Sequence, residues 1–253
     1  MQAPKNHTLT QTEDGSYSLF SEAFQEGCHS LSGARKETEL HYLEGCRILE
    51  KLRALSSVSI LEVGFGSGLG FELTRDLMEK EKGKMHFVSL EIDPELTQWS
   101  FERLGLQPQK EKFHSGSLWS ASGKNFSLQV LVGNARTLLP KFLNVYSHPF
   151  HAIYQDAFSP KKNPVLWSSE WFTLLKNFSS PDVILSTYSA SNSIRKSLTM
   201  AGWFVKKGES FGPKRASTRA DLLGVSDQEI LDQMERSPAV AIMDSQLPKE
   251  LFL

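Results

Sequence analysis

Residues 58–63 read Val-Ser-Ile-Leu-Glu-Val and empty directly into Gly64-Phe65-Gly66-Ser67-Gly68-Leu69-Gly70. A short β-rich apolar run that ends in glycines predicts a buried strand and a tight turn. Leu69, Leu73 and Leu77 then recur every fourth residue, so a helix follows at once. The alternation continues. Met85–Leu90, Leu128–Val132, Phe150–Gln155 and Val183–Ser186 read as strands, and helices are expected after Pro94 and over Ala135–Val145, Pro164–Phe178 and Asn192–Ala201. Strand and helix repeated at this spacing predict an α/β fold with a mainly parallel sheet. Trp203–Val205 and Ala220–Val225 are two late strands with no room for a helix between them, so they pair antiparallel. Ala34–Leu55 is helical, with Leu40, Leu43, Leu52 and Leu55 on one stripe. Tyr17–Phe24 alternates as a hairpin or extended arm, and the Ser-, Gly- and Lys-rich stretch Gln107–Phe126 reads as an insertion or long loop.

A strand–glycine–helix turn is where such a sheet holds a nucleotide, because glycine lets a ligand approach the backbone and the helix N-terminus faces it. The dinucleotide spacing fails here: Leu69 or Phe71 stands where a third small residue is required, and no Gly-Lys-Ser/Thr follows. Glu91 ends the second strand, where a carboxylate can accept ribose hydroxyls. Asp156 ends the fourth, followed by Ala157-Phe158-Ser159-Pro160-Lys161-Lys162-Asn163-Pro164, a proline-stiffened loop over the same end of the sheet. Each feature has a plainer reading: a tight turn without a ligand, a solvated strand-end acid, a capping aspartate.

Several classes are excluded or disfavoured. The 253 residues carry a net charge of −1, which does not describe a polycation, and the two cysteines, Cys28 and Cys46, cannot form a disulfide framework. The histidines show no HExxH and there is no CxxC, so no metal is expected. The polar start at Met1–Glu13 lacks a signal-peptide core, and no run reaches the ~18 apolar residues of a membrane helix. The expectation is a reduced, cytoplasmic protein with no membrane partner. Charge is unevenly placed: Arg195–Arg219 holds seven bases against one acid, Glu209, and Ser226–Leu253 holds six acids against two bases. The first stretch is a candidate phosphate-binding face. The second is an acidic tail that docks on the body, is disordered or shields the basic stretch.

The motif Glu62-x-Gly64-x-Gly66-x-Gly68 resembles the glycine loop of class I S-adenosylmethionine-dependent methyltransferases. Asp156-x-Phe158-Ser159-Pro160-x-Lys162-Asn163-Pro164-x-x-Trp167 resembles, more specifically, the signature of the methyltransferase domain of MnmC, the bifunctional tRNA modification enzyme, and of its stand-alone relatives. Glu37-Thr38 with Tyr42-Leu43-Glu44-Gly45 is similar to that family's Glu-Thr-x-x-x-Phe-Leu-Glu-Gly segment. Phe87–Glu91, Ala201-Gly202-Trp203 and Phe211–Arg215 are similar to further elements in the same order. The likeness runs over roughly residues 15–225.

This resemblance implies a Rossmann-like class I methyltransferase fold: a mainly parallel seven-stranded sheet with an antiparallel last strand, plus an N-terminal extension. Residues 1–56 are the extension and a helix packed on the core, 57–225 the methyltransferase core and 226–253 the acidic tail. It implies S-adenosylmethionine held by Glu37, Glu62, Gly64, Gly66, Gly68, Glu91, Asn134, Ala135 and Asp156. Gly133-Asn134-Ala135 departs from the usual Gly-Asp-Ala, but an asparagine amide can still pair with an adenine edge. The implied reaction methylates the amine of 5-aminomethyl-(2-thio)uridine at the tRNA wobble position, with a separate enzyme supplying the aminomethyl group. Asp156 is the catalytic candidate. Phe158 and Tyr188 are candidates for stacking on the base, and Lys162, Asn163, Lys214 and Arg215 for holding the loop or phosphate. Trp167 reads as helix core. A class I methyltransferase of small-molecule or protein amines, and a non-catalytic S-adenosylmethionine-binding module, remain the competing readings.

Overall fold

The computed structural model describes residues 2–211 and 216–252. Among them, three short antiparallel strands, β1 (His7–Gln11), β2 (Tyr17–Ser21) and β3 (Glu26–Gly27), form the N-terminal sheet. The main sheet contains β4 (Val58–Val63), β5 (Met85–Glu91), β6 (Gln109–Phe113), β7 (Gly116–Ser122), β8 (Phe126–Val132), β9 (Phe150–Gln155), β10 (Ser179–Thr187), β11 (Phe204–Lys207) and β12 (Thr218–Asp221). Their order is β11-β12-β10-β9-β4-β5-β8-β7-β6. The five strands from β10 to β8 run parallel, while β12 is antiparallel to both its neighbours. These seven strands are the expected set. The other two, β6 and β7, are a hairpin built from the stretch read as a loop, and they extend the sheet antiparallel to β8. Strand β6, Gln-Lys-Glu-Lys-Phe, is almost wholly exposed and carries charge at the sheet edge, which discourages further pairing.

All six residues of β4 are buried. Its alternate side chains enter different layers: Val58 and Ile60 join Phe71, Phe87 and Tyr154, while Leu61 and Val63 join Leu138, Trp171 and Leu198. Helices therefore cover both faces, as a parallel sheet requires. On one side lie α2 (Ile48–Ala54), α3 (Leu69–Lys80) and α4 (Pro94–Arg103). On the other lie α5 (Ala135–Leu143), α6 (Ser169–Asn177), α7 (Asn192–Met200) and α8 (Gln228–Glu235). Pro94 occupies the first turn of α4, capped by the Asp93 carboxylate, which accepts from Glu95 N and Leu96 N.

Two expected helices are interrupted. The one expected over 34–55 consists of α1 (Ala34–Thr38), a π-helical turn over Glu39–Glu44 and α2, with Arg47 left-handed at φ 53°. The one expected over 164–178 is a 3-10 turn, Pro164–Leu166, followed by α6, whose N-cap Ser168 accepts from Trp171 N.

The basic stretch is not an open cationic face among the described residues. Arg195 is 3% exposed and spends its guanidinium on Thr218 Oγ1, Gln233 Oε1 and the Ala216 carbonyl. Lys196 donates to the carbonyls of Ser237 and Ala239. Lys206 pairs with Asp221 and Lys207 with Glu229, and Arg219 donates to the Lys207 carbonyl. Lys214 and Arg215 lie outside the described residues. Asp221 and Glu229, just past most of the basic stretch, thus pair with two of its lysines, because β11, β12 and α8 fold against one another. In the tail, Ile230 and Met234 are the buried residues of α8. No described helix is long and apolar enough to cross a membrane, and no described His, Cys, Asp or Glu cluster could hold a metal.

Replacing Arg195 should therefore act on stability. R195A strips donors from buried acceptors and leaves a void, and should cost about 2 kcal/mol or more in urea denaturation. R219A, whose side chain makes a weaker, more exposed contact, should cost far less.

Candidate active site

The chain leaves β4 through three glycines with positive φ: Gly64 at 104°, Gly66 at 52° and Gly68 at 74°. At Gly64 a Cβ would stand 2.7 Å from the Asp156 carbonyl, so only glycine lets the turn pass the end of β9. Asp156 N in turn donates to the Val63 carbonyl at 3.0 Å. Gly66 N donates to Glu91 Oε2 at 2.9 Å, and Glu91 Oε1 accepts from Ile92 N (2.8 Å) and Asp93 N (3.1 Å). The carboxylate that ends β5 thus fastens the glycine turn. These three donors occupy most of its roughly four acceptor sites and fix the carboxylate in place.

Glu62 points from β4 across the first turn of α3. A Cβ on Gly70 would lie 2.1 Å from Glu62 Oε1, so that glycine makes room for the acid. Ser89 Oγ donates to Glu62 Oε2 at 2.8 Å. Glu62 is 2% exposed, and burial pushes its carboxyl well above the ordinary glutamate range. Burial also raises Glu91, held back by its backbone donors.

These groups surround a cavity of about 300 Å³. Glu37, Glu62, Gly64, Gly66, Glu91, Asn134, Ala135 and Asp156 all line it. Gly68 does not: it is the N-cap of α3, and a Cβ there would meet Leu104 and Phe65, so its part in the turn is conformational. Glu37 accepts from Ser30 N at 2.5 Å and lies 4.0 Å from His41 Nε2. Asn134 caps α5 by accepting from Arg136 N at 2.9 Å. Phe158, Lys162, Asn163 and Tyr188 also line the cavity. Tyr188 donates its hydroxyl to the Ala157 carbonyl at 2.9 Å, and fully buried Trp167 donates Nε1 to the Phe158 carbonyl at 2.8 Å. Both hold the loop after Asp156 in place.

Sequence reasoning missed several walls. Phe24, Glu26, Cys28 and His29 bring the N-terminal extension into the cavity. Phe24 stacks on Phe158 with ring centroids 4.4 Å apart, and Glu26 accepts from Ser159 N and Oγ. Tyr42, on the π-helical turn, is 2% exposed and donates its hydroxyl to Asp156 Oδ1. Leu251, from the tail, also lines the cavity. Tyr42 carried one signal, standing where the family pattern has phenylalanine. The others carried none.

These residues fit S-adenosylmethionine. A Cβ on Gly66 would meet nothing within 4 Å, so the turn exposes bare backbone to the cavity. Buried carboxyls with raised proton affinity suit a ligand that bears an ammonium and a sulfonium.

A family model described as S-adenosyl-L-methionine-dependent methyltransferase matches residues 107–222. The fold and this cavity define a class I S-adenosylmethionine-dependent methyltransferase, and the chain belongs to that family. Within it the chain is similar to MnmC proteins. It is 30% identical over 238 residues to the tRNA 5-methylaminomethyl-2-thiouridine biosynthesis bifunctional protein MnmC of Azoarcus sp. strain BH72, covering 86% of this chain and 36% of that protein. The MnmC of Pseudomonas fluorescens strain Pf0-1 is 30% identical over 223 residues, 81% of this chain and 33% of the relative. The chain thus spans about a third of the length of these curated relatives. The crystal structure of MnmC2 from Aquifex aeolicus superposes with a TM-score of 0.79 at 28% identity, covering all of this chain and 82% of that one.

Burial of Glu62 couples stability to pH. Its folded pKa is raised above the ordinary 4.5, so the folded protein keeps a proton that the unfolded chain gives up. Stability therefore falls as pH rises from about 5 toward the raised value. E62Q lacks that loss: ligand-free E62Q should melt above the parent protein at about pH 8, the gap closing toward about pH 5. The same variant should bind S-adenosylmethionine more weakly by calorimetry.

Proposed function

We propose that this chain transfers the methyl group of S-adenosylmethionine to the amine of 5-aminomethyl-(2-thio)uridine at the wobble position of tRNA, giving the 5-methylaminomethyl derivative. The observation that carries this reading is the Asp156 carboxylate, held in the wall of the cavity by the Tyr42 hydroxyl. The similarity to MnmC proteins along most of the chain supports the acceptor. A separate enzyme supplies the aminomethyl group.

Bound S-adenosylmethionine supplies a methyl group already activated by its positive sulfur. The chain's remaining tasks are alignment and proton removal. The amine attacks only when neutral, and Asp156 orients it and receives its proton at the carboxylate. Tyr42 sets the rotation of that carboxylate. The Phe24–Phe158 stack is the aromatic surface that receives the extruded base, one face of Phe158 being already covered by Phe24. Tyr188 acts through its hydrogen bond to the loop.

One observation favours a second acceptor class, a small-molecule or protein amine: the basic stretch expected to grip phosphate is largely paired within the protein.

The deciding assay incubates purified protein and S-adenosylmethionine with tRNA bearing the aminomethyl group, and reads wobble nucleosides by mass spectrometry. A gain of one methyl on that amine is expected. Its absence, with cofactor bound, would reject the tRNA reading. D156A should abolish the gain while leaving cofactor affinity within about threefold, a change below 1 kcal/mol. Y42F should keep the cofactor affinity and lower kcat by about tenfold, as expected when a reacting group loses its orientation.

A further inference from the structure

The acidic tail, to which the reaction assigns nothing, returns to the cofactor cavity. Beyond α8 it is stitched across α6 and α7. Lys196 Nζ holds the carbonyls of Ser237 (2.9 Å) and Ala239 (2.7 Å), and Ser169 N donates to the Ile242 carbonyl at 2.9 Å. Asp244 pairs with Arg136, and Asp244 N donates to Glu170 Oε2 at 3.0 Å. The 3-10 turn Lys249–Phe252 then reaches the start of α5. There Asn134 Nδ2 donates to the Phe252 carbonyl at 3.0 Å, and the Arg136 guanidinium lies 5.3 Å from the centre of the Phe252 ring. Leu251, between these contacts, faces the cavity.

The apolar surface left open marks what this wall receives. Leu251 is 42% exposed and Ile92 is 57% exposed, and both line the cavity. Ile92 follows Glu91 at the end of β5, and Leu251 precedes Phe252, whose carbonyl is bonded to Asn134 just past β8, so the two stand by neighbouring strand ends. Large apolar side chains on a cavity wall gain free energy when a flat apolar ligand displaces their water.

We propose that the tail is part of the cofactor site: Leu251 packs against the adenine of S-adenosylmethionine. Asn134 has its amide nitrogen engaged on the Phe252 carbonyl and its oxygen on Arg136 N, so it latches the tail in place instead of reading the adenine edge. This explains why asparagine serves where an aspartate is usual, since a carboxylate has no donor for that carbonyl. Cofactor affinity then depends on a segment more than 100 residues away in sequence from the turn it helps to close. The proposal rests on the cofactor assignment and is independent of the acceptor.

The test is calorimetric titration of the full chain and its L251D variant with S-adenosylhomocysteine and with 5′-methylthioadenosine, which keeps the nucleoside but lacks the amino-acid end. L251D should weaken both ligands by a similar factor of about tenfold, without lowering the melting temperature of the ligand-free protein. Hydrogen exchange of the amides of 249–252 should slow when either ligand binds. Equal affinity of parent and variant would overturn the proposal, as would a loss confined to S-adenosylhomocysteine. Failure of the parent protein to bind either ligand would overturn it together with the cofactor assignment. Failure of the tRNA assay alone would leave it intact.

Discussion

Strand β4 has β5 on one side and β9 on the other, and the winding of the chain reverses across it. An open parallel sheet parts its loops at that reversal, and the crevice lies beyond the carboxyl ends of the strands. Here the glycine turn crosses the crevice so tightly that Gly64 has no room for a side chain against β9. Hydrogen bonds from Asp156 N to Val63 and from Gly66 N to Glu91 tie three strand ends into one unit. Glu62, Glu91 and Asp156 therefore converge because their strands are neighbours, and the register of the sheet sets their spacing. Two of the three carry raised proton affinity through burial. Functional sites commonly retain such a cost to stability because the ligand recovers it.

The remaining walls come from segments outside the strand–helix repeat. The N-terminal extension contributes Phe24 and Glu26, the π-helical turn contributes Tyr42, and the tail contributes Leu251. π-Helical turns often occur at functional sites, and this one places Tyr42 beneath Asp156 while His41 faces Glu37. The α/β core thus supplies the glycine turn and the three strand-end acids, and the appended segments shape the cavity around them.

The parts of the site that were legible in the sequence are the local ones. Glu62, Glu91 and Asp156 could be placed because each ends a recognisable strand, and the glycines because a strand–turn–helix junction needs them. The hairpin at 109–122 was missed because its strands lie at the sheet edge: Gln109–Phe113 is polar and exposed, so it lacks the alternation that marks a half-buried strand. The break in the helical stretch over 34–55 was not visible because the apolar stripe continues through the π-helical turn and past Arg47, whose positive φ leaves no trace in hydrophobic spacing. How much of the basic stretch stays open could not be read from the sequence, because a count of charges along the chain does not include the partners that folding brings. Asp221 and Glu229 follow closely in sequence, and only the β11–β12 pairing and the packing of α8 set them on Lys206 and Lys207.

By itself, the sequence determined the class of fold, the position of the glycine turn and the three acids that line the same cavity. Those follow from periodicity and from backbone conformations that only glycine adopts easily, both of which act over a few residues. The tertiary structure decided what closes the cavity. The contact between Tyr42 and Asp156 joins residues 114 apart, and that between Asn134 and Phe252 joins residues 118 apart. Such pairs form only when the sheet order and the docking of the chain ends bring them together, and no local pattern encodes that distance.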